Sequence, residues 1–295
     1  MNVAYWFIIM KDKRKGEIHM DTKRLDNVTG YIERNASHLP SKVHPDTLFN
    51  FTNDLQFLTE SLKQQKLFPR YIVEDIRYLN IPQIKYIAFP MKCFCDINLH
   101  QINEHLDWYG YYGLAFTKEW GMKKGIQPVQ YVNKGSDLCR DFRTAFLSSL
   151  KDNSKNKPRA QLALANYLMH ELMYYKPYSG MQEYHGSGKS KRKNFSDECE
   201  WRYVANIDKL NNGYDQIMIL NSMRNDSLRT ISNSLKSIES IAIPFSYLDI
   251  KYVIVKDESS AKTLMSSIDS FAISEDEKKS LIMKMIVWEN VCGDF

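Results

Sequence analysis

Long hydrophobic runs are absent from this 295-residue sequence. The apolar segment at residues 3–10 is far shorter than the roughly 20 residues that a membrane-spanning helix needs. Its basic residues follow the apolar stretch instead of preceding it, which argues against a secretory signal peptide. We therefore predict a cytoplasmic protein with no membrane association, in which residues 3–10 form a first strand or, if the natural start is Met20, an upstream extension.

Glycine, proline and cysteine are also scarce, and this scarcity excludes wholesale disorder and a disulfide scaffold. A content of 43% hydrophobic and 25% charged residues indicates a globular chain. The five cysteines form an odd set, which argues for reduced thiols and a cytosolic protein. Cys93 and Cys95 should share one face of a strand, but no second pair at zinc-ligand spacing accompanies them. We interpret them as small core residues and expect no metal site.

A large excess of charge is missing as well, because the formal net charge is +5. This mildly basic balance permits nucleic-acid binding but does not require it. The basic charge is concentrated within residues 178–196, a glycine-containing segment, at Lys189, Lys191, Arg192 and Lys193. We predict a flexible loop here that binds the phosphates of an acceptor, with a solvated surface loop as the alternative.

Apolar periodicity in the remaining chain predicts a mixture of helices and strands. Strands are predicted at residues 47–52, 86–97, 112–117, 129–132, 201–205, 217–220 and 250–255. Helices are predicted at residues 55–62, 98–108, 136–150, 158–175, 258–268 and 275–287. Because these elements do not follow a strict β-α-β alternation, we predict an α+β fold. Residues 1–46 are expected to be an N-terminal lead-in or extension, and residues 47–295 a single domain.

Two glutamates, Glu198 and Glu200, flank one residue directly before a predicted strand, so their side chains should point the same way. Such a pair can divide the work of catalysis: one carboxylate stabilises a developing cation while the other orients a nucleophile. The alternative is a pair of solvated loop acids, with Glu200 bound to Arg202 or to another neighbouring base.

Two further sets of residues are candidates for binding a planar ligand. Asn50 lies between two phenylalanines, and its amide could hold a ligand amide or a ribose, although it could equally be an edge-strand asparagine. Tyr109 and Tyr112 belong to a run of aromatics and glycines that could form a stacking wall. The alternative for this run is an aromatic corner of the core.

Several sequence blocks resemble the AbiGi family of abortive phage-infection proteins. They are L-F-N-F-T at 48–52, P-M-K-C-F-C-D-I at 90–97, His105, Y-G-Y-Y-G-L-A-F-T-K-E-W-G at 109–121, P-V-Q-Y at 128–131 and E-W-R at 200–202. The resemblance extends from about residue 47 to about residue 256. It implies a function in antiviral defence. Because this family is usually described as the antitoxin half of a two-gene toxin-antitoxin system, it also implies a cognate toxin or antitoxin as a partner.

The order of these blocks is more distantly similar to that of ADP-ribosyltransferases. That likeness implies a mixed, mostly antiparallel split sheet with flanking helices and NAD as cosubstrate. Glu200 would be the catalytic glutamate with Glu198 before it, and residues 178–196 would be the acceptor-binding segment. The positions implied for NAD binding are Asn50, Thr52, Tyr109, Tyr112 and Thr117. The departure is Asn50, since the enzymes carry His or Arg at that position.

Two functions follow from these resemblances. One is a toxin-like ADP-ribosyltransferase that moves ADP-ribose from NAD to an RNA, DNA or protein acceptor. The other is a non-catalytic antitoxin or phage sensor that binds a partner protein. The enzyme hypothesis requires Asn50, Tyr109 and Glu200 to meet in one cleft, whereas the binding hypothesis requires only an exposed surface.

Overall fold

The computed structural model describes residues 41, 43–151, 158–183, 189–207, 210, 213–223 and 226–294. The strand predicted at residues 3–10 and most of the predicted lead-in lie outside the described residues. The described strands are β1 (Thr47–Thr52), β2 (Lys66–Leu67), β3 (Arg70–Asp75), β4 (Tyr86–Cys95), β5 (Tyr112–Thr117), β6 (Gln127–Pro128), β7 (Gln130–Val132), β8 (Tyr175–Pro177), β9 (Ser179–Glu183), β10 (Ser190–Asn194), β11 (Glu200–Val204), β12 (Met218–Leu220), β13 (Ile243–Pro244), β14 (Ile250–Val255) and β15 (Met285–Val287). The described α-helices are α1 (Leu55–Gln64), α2 (Asn103–Tyr109), α3 (Lys118–Lys123), α4 (Asp137–Lys151), α5 (Arg159–Tyr174), α6 (Asp226–Ser234), α7 (Glu258–Asp269), α8 (Glu275–Met283) and α9 (Trp288–Val291).

A nine-stranded sheet forms the centre of the described chain. Its spatial order is β15-β14-β5-β1-β4-β11-β6, and β3 and β12 also pair with β4. The pairs are antiparallel apart from β14 with β15. The α+β class, with a mostly antiparallel sheet and flanking helices, is therefore confirmed.

The sheet has a gap beside β4. One residue pair, Phe49 with Cys95, joins β1 to β4. On the same side of β4, the pairing with β3 ends at Met91 of β4, which lies opposite Arg70 of β3. Residues 92–94 of β4 therefore face a gap between the end of β1 and the start of β3. The Asn50 side chain bridges this gap by donating from Nδ2 to the carbonyl oxygen of residue 93 at 2.8 Å.

Side chains alternate along each strand, so apolar residues of the sheet point to both of its faces. Helices pack against these residues on each face. On one face Phe89 of β4 packs in a cluster with Phe146 of α4 and Leu168 of α5. On the other face Phe116 of β5 packs with Leu264 of α7 and with residues of α1 and α8. Burial of apolar surface on both sides is the main stabilising contribution to the sheet.

Helix α1 shows how local sequence and packing agree. The Asp54 side chain accepts the backbone N–H of Gln56 and so caps the first turn. Leu58 and Leu62, four positions apart, lie on one helix face and are buried against the sheet. The predicted helix over residues 55–62 is confirmed with these inner positions.

Most of the predicted elements are confirmed, and three strands, at 47–52, 112–117 and 250–255, have the predicted bounds. The prediction of a loop over residues 178–196 is wrong for the described residues. There β9 and β10 pair as an antiparallel hairpin, with Lys193 opposite Gly180. Backbone pairing holds this hairpin, and a basic strand gives no apolar alternation that would reveal it.

The predicted helix over residues 275–287 is wrong at its end. Helix α8 stops at Met283, and residues 285–287 form β15, which pairs in parallel with β14. The β-branched residues of this segment favour a strand, and the edge of β14 provides the hydrogen-bonding partner. Strand β3 was not predicted at all.

Candidate functional site

A cavity of about 820 Å³ lies beside the gap in the sheet. It is lined by Asn50 of β1, Cys93 and Cys95 of β4, His105 and Tyr109 of α2, and by residues of β3, β8, β9 and β11. Its volume is in the range of small-molecule sites in proteins. The elements that line it come from both halves of the chain, so the cavity exists only in the folded protein.

A buried ion-pair network occupies the β11 side of the cavity. Glu200 is 5% exposed and Arg202 is completely buried. Arg202 donates from Nε to Glu200 at 2.7 Å, from Nη2 to Glu74 of β3 at 2.7 Å, and from Nη1 to the backbone carbonyl of Met173 at 2.8 Å. The guanidinium is therefore held by three partners, and it ties β11 to β3 and to the end of α5.

Lys176 of β8 links this network to the second glutamate. Its ammonium donates to Glu200 at 2.5 Å and also to Glu198. Glu198 in addition pairs with Lys193 of β10 at 2.8 Å and accepts a hydrogen bond from the Tyr109 hydroxyl. Each carboxylate of the Glu198/Glu200 pair thus contacts two cations of the same chain.

The charges in this network fix the protonation of the two glutamates. Burial alone would raise the pKa of the Glu200 carboxyl, but Arg202 and Lys176 outweigh it and hold that pKa below its usual range. Glu198 shows the same balance, with Lys176 as the main cation that lowers its pKa. Both carboxylates are therefore ionised at neutral pH, and neither has the near-neutral pKa that suits a general acid or base.

The pKa values of Glu74 and Lys176 are both raised in this network, but for different reasons. Burial raises the pKa of the Glu74 carboxyl, and the charge of Arg202 only partly offsets this. Burial acts to lower the pKa of the Lys176 ammonium, but Glu200 and Glu198 prevail and raise it. Lys176 thus stays charged, and among the described groups of the network Glu74 is the acid that burial drives toward protonation.

Other polar atoms that line the cavity have no hydrogen-bond partner among the described residues. They are the hydroxyl of Tyr78 and Oε1 of Gln182. Burial, followed by the charge of Lys193, lowers the pKa of His105 to about 4, so the ring is neutral at pH 7. Buried polar atoms usually have partners, and these atoms are therefore positioned to bind a molecule in the cavity.

The structure brings four predicted site residues together. Asn50, Tyr109, Glu198 and Glu200 all line the same cavity, and Tyr109 contacts Glu198 directly. The alternative interpretation of Glu200, that it pairs with Arg202, is also observed, although the pair is buried and not solvated.

The other predicted NAD-binding residues lie elsewhere. Thr52 lines a separate cavity of about 510 Å³. The Tyr112 hydroxyl is hydrogen-bonded with the Ser260 hydroxyl of α7 at 3.1 Å, away from the Glu198/Glu200 pair. The Thr117 hydroxyl accepts the Trp120 backbone N–H and caps α3.

The four basic residues predicted to bind an acceptor do not form one surface. Lys189, Lys191 and Arg192 are exposed, whereas Lys193 is buried. The Lys193 ammonium lies 4.5 Å from the ring centre of Trp108 and 4.7 Å from that of Tyr109. The structure thus separates Lys193 from the other three, since its ammonium is buried in an ion pair with Glu198 at 2.8 Å.

Sequence reasoning missed Lys176 as a partner of the two glutamates and Glu74 as a partner of Arg202. Neither lies in a block that resembled a known family, and Arg202 is 128 positions from Glu74 in sequence. Among the described residues, no group of three or more His, Cys, Asp or Glu is arranged to hold a metal ion. The five cysteines are free. None of the described helices is both long and apolar enough to cross a membrane.

By its fold and cavity the chain is a mixed α+β protein with a ligand-sized, charge-lined cavity beside its central sheet. A family model described as abortive phage resistance protein AbiGi, antitoxin, matches residues 65–256. The chain is also 32% identical over 250 residues to the abortive phage resistance protein AbiGi of Lactococcus lactis subsp. cremoris, covering 77% of this chain and 98% of that protein. This chain therefore belongs to the AbiGi family of abortive phage resistance proteins.

No solved structure matches the chain. The predicted membership of the AbiGi family is confirmed by the family model and by the lactococcal relative. The more distant likeness to ADP-ribosyltransferases stays a prediction.

Proposed function

We propose that this chain acts in phage defence as an antitoxin-type protein that binds a partner toxin, and not as a transferase. The description of its family as an antitoxin supports this proposal. The observation that carries it is the internal neutralisation of Glu198 and Glu200 by Lys176, Lys193 and Arg202.

A transferase needs its catalytic carboxylate to hold the ribose and to stabilise an oxocarbenium-like transition state. Here Glu200 already accepts hydrogen bonds from Arg202 and Lys176. Freeing it would leave buried cations without their counter-charge, and breaking a buried ion pair in this way costs about 3–5 kcal/mol. This energy favours a structural use of the carboxylates over a catalytic one.

The β9–β10 hairpin is the surface that best fits a partner. Lys191 and Arg192 are exposed on β10, next to Met181 of β9, which is 59% exposed, and Tyr178, which is 52% exposed. Exposed Tyr, Met and Arg side chains are enriched at protein interfaces. Basic charge beside them indicates a partner with an acidic face, because complementary charge speeds and orients association.

Growth measurements and pull-down assays with the cognate toxin test this proposal. Co-expression of the chain should restore growth that the toxin inhibits, and the two proteins should co-purify. The Lys191→Glu, Arg192→Glu double variant should weaken both effects. The Lys262→Glu, Lys279→Glu variant is the matched control, since it makes the same charge change on exposed residues of α7 and α8. Growth inhibition by the chain alone, or equal rescue by both variants, would contradict the proposal.

A second candidate is the NAD-dependent ADP-ribosyltransferase. One observation favours it: Asn50, Tyr109, Glu198 and Glu200 line one cavity of about 820 Å³, as that hypothesis required. In this reaction the bond between nicotinamide and ribose breaks, nicotinamide leaves, and an acceptor nucleophile bonds to the ribose carbon. Glu200 would stabilise the developing positive charge after giving up a contact with Arg202.

Incubation with labelled NAD and cell extract separates the two candidates. A transferase would label RNA, DNA or protein, and nuclease or protease digestion of the product identifies which. Folded Glu200→Gln protein should then lose the labelling, because removal of this charge in a transition state costs on the order of 3 kcal/mol or more. For the antitoxin, no labelled product is expected from either form.

A further inference from the structure

The second cavity, of about 510 Å³, is unusually rich in basic side chains. It adjoins the first cavity at the gap in the sheet, and the two share Asn50, Phe51, Arg70 and Lys92. The basic residues that line it are Lys66, Arg70, Lys92, Arg229 and Lys236, and the acidic ones are Asp54 and Glu60.

The two acids and two of the bases already have partners. Asp54 caps α1 by accepting the Gln56 N–H at 2.8 Å. Glu60 pairs with Lys236 at 3.4 Å. Lys66 pairs with Glu239.

The other three cations of this cavity have no counter-charge among the residues that the structure describes. Among the described residues no carboxylate pairs with Arg70, Lys92 or Arg229, although all three line the one cavity. Burial, together with the charges of Arg70 and Lys236, lowers the pKa of Lys92 to about 8. Burial and the charge of Arg229 likewise lower the pKa of Arg70. Arg70 and Lys92 are half-buried, and each is repelled by a neighbouring cation, so a bound anion would relieve that repulsion.

We propose that this cavity binds the phosphate of a small phosphorylated ligand, with Arg70, Lys92 and Arg229 as its cationic partners. Two guanidinium groups and an ammonium suit phosphate, because the arginine fork matches two phosphate oxygens and the lysine acts as a point charge. A single carboxylate would leave part of this charge uncompensated. The site goes beyond the antitoxin function and does not depend on it.

The shape of the site indicates a ligand the size of a nucleotide. The cations line a concave cavity, whereas a nucleic-acid strand is usually bound along an open basic groove. The volume of this cavity, about 510 Å³, is in the range of small-molecule sites in proteins. A ligand held by its phosphate at Lys92 therefore has room for a sugar and a base along the cavity wall.

Calorimetric titration with inorganic pyrophosphate, ADP and a short single-stranded oligonucleotide tests the proposal on the full chain. Pyrophosphate and ADP should bind saturably at one site, and ADP should bind more tightly because its ribose and base add contacts with the cavity wall. Arg229→Gln and Arg70→Gln should each weaken ADP binding by roughly 10- to 100-fold, the usual loss for a hydrogen bond to a charged group. Lys92→Met should act in the same direction.

Arg229 is exposed on α6, so its replacement keeps the fold even if the half-buried Lys92→Met variant does not fold. Arg140→Gln, at an exposed arginine of α4, is the matched control and should leave affinity unchanged. The proposal is overturned if folded wild-type protein binds neither pyrophosphate nor ADP. It is equally overturned if Arg70→Gln and Arg229→Gln bind ADP as wild type does, or if only the oligonucleotide binds.

Discussion

Arg202 is completely buried, yet it donates hydrogen bonds to Glu200, Glu74 and the carbonyl of Met173. A buried ion pair contributes little net stability compared with a well-packed apolar pair, because both charges lose their hydration. Replacing one partner of the pair by an uncharged residue is much more destabilising, since it leaves the other charge buried with fewer partners. The network therefore makes β11 dependent on contacts from β3 and from the end of α5.

We predict that Arg202→Met lowers the free energy of unfolding by about 3–5 kcal/mol. The cause is that buried Glu200 loses one of its two cations and Glu74 loses its ion pair with Arg202. Urea unfolding followed by circular dichroism measures the difference. Arg140→Gln, at an exposed helix position, should change stability by less than about 0.5 kcal/mol. A loss below about 1 kcal/mol in Arg202→Met would show that Glu200 finds other partners.

His105 should make the protein less stable at mildly acidic pH. Its pKa is about 4 in the folded protein against 6.5 in the unfolded chain, so the unfolded chain takes up a proton first as the pH falls. Stability should therefore decrease between pH 6.5 and 4, by up to about 3 kcal/mol. His105→Phe keeps a ring at this site but cannot titrate. Urea unfolding over this pH range should show a shallower slope for His105→Phe, and equal slopes would contradict the assignment.

The turn between α2 and β5 depends on Gly110, which ends the helix with φ of +108°. A Cβ atom at this position would lie 2.3 Å from the Cα of Asn53, which follows β1. The glycine thus allows the end of α2 to approach the backbone after β1, and this approach places Tyr109 in the cavity. Both the backbone conformation and the space require glycine here.

Gly110→Ala should therefore destabilise the fold more than a glycine replacement that causes strain alone. Gly125→Ala is the matched comparison, because Gly125 also has a positive φ, of +71°, but a Cβ there meets nothing within 4 Å. Gly125→Ala should cost about 1 kcal/mol, and Gly110→Ala should cost roughly 3 kcal/mol or more. Thermal unfolding of the two variants gives the comparison, and equal losses would mean that the backbone moves to admit the methyl group.

Sequence blocks that resembled the AbiGi family also meet in the structure. Lys118 donates two hydrogen bonds of 2.8 Å to Asp96, and both side chains are buried. The same ammonium lies 5.6 Å from the ring centre of Trp201. The blocks at 90–97, 109–121 and 200–202 are thus joined around one buried charge, which gives them a structural use apart from any chemistry at Glu200.

Acid should unfold the whole molecule through its buried glutamates. The pKa values of Glu198 and Glu200 lie below the 4.5 of the unfolded chain, so these residues add stability above pH 4.5 that is lost as the pH falls further. We predict a steep loss of stability below about pH 4.5, after the shallower decrease caused by His105. Glu200→Gln should reduce this steepness, whereas Glu258→Gln, an exposed glutamate on α7, should not. Parallel acid-unfolding curves for all three proteins would refute the contribution of Glu200.

Local patterns were enough to predict much of the fold. The apolar spacing of Leu58 and Leu62, the alternation in β1 and β5 and the glycine after α2 are properties of neighbouring residues, and the elements that they indicated are present. Strand β3 and the β9–β10 hairpin escaped prediction because pairing with other strands, and not their own apolar pattern, makes them strands.

The sequence by itself determined the α+β class, the AbiGi family and the position of Glu200 at the start of a strand with Glu198 two residues before it. Only the tertiary structure decided what these glutamates contact. The cations that pair with them are Arg202 of β11, Lys176 of β8 and Lys193 of β10, and Arg202 also pairs with Glu74. These strands meet at the cavity through sheet pairing and packing. Ion pairs of this kind form only where the fold brings distant segments together. The spacing of residues along the chain does not indicate which of these residues will be close in space.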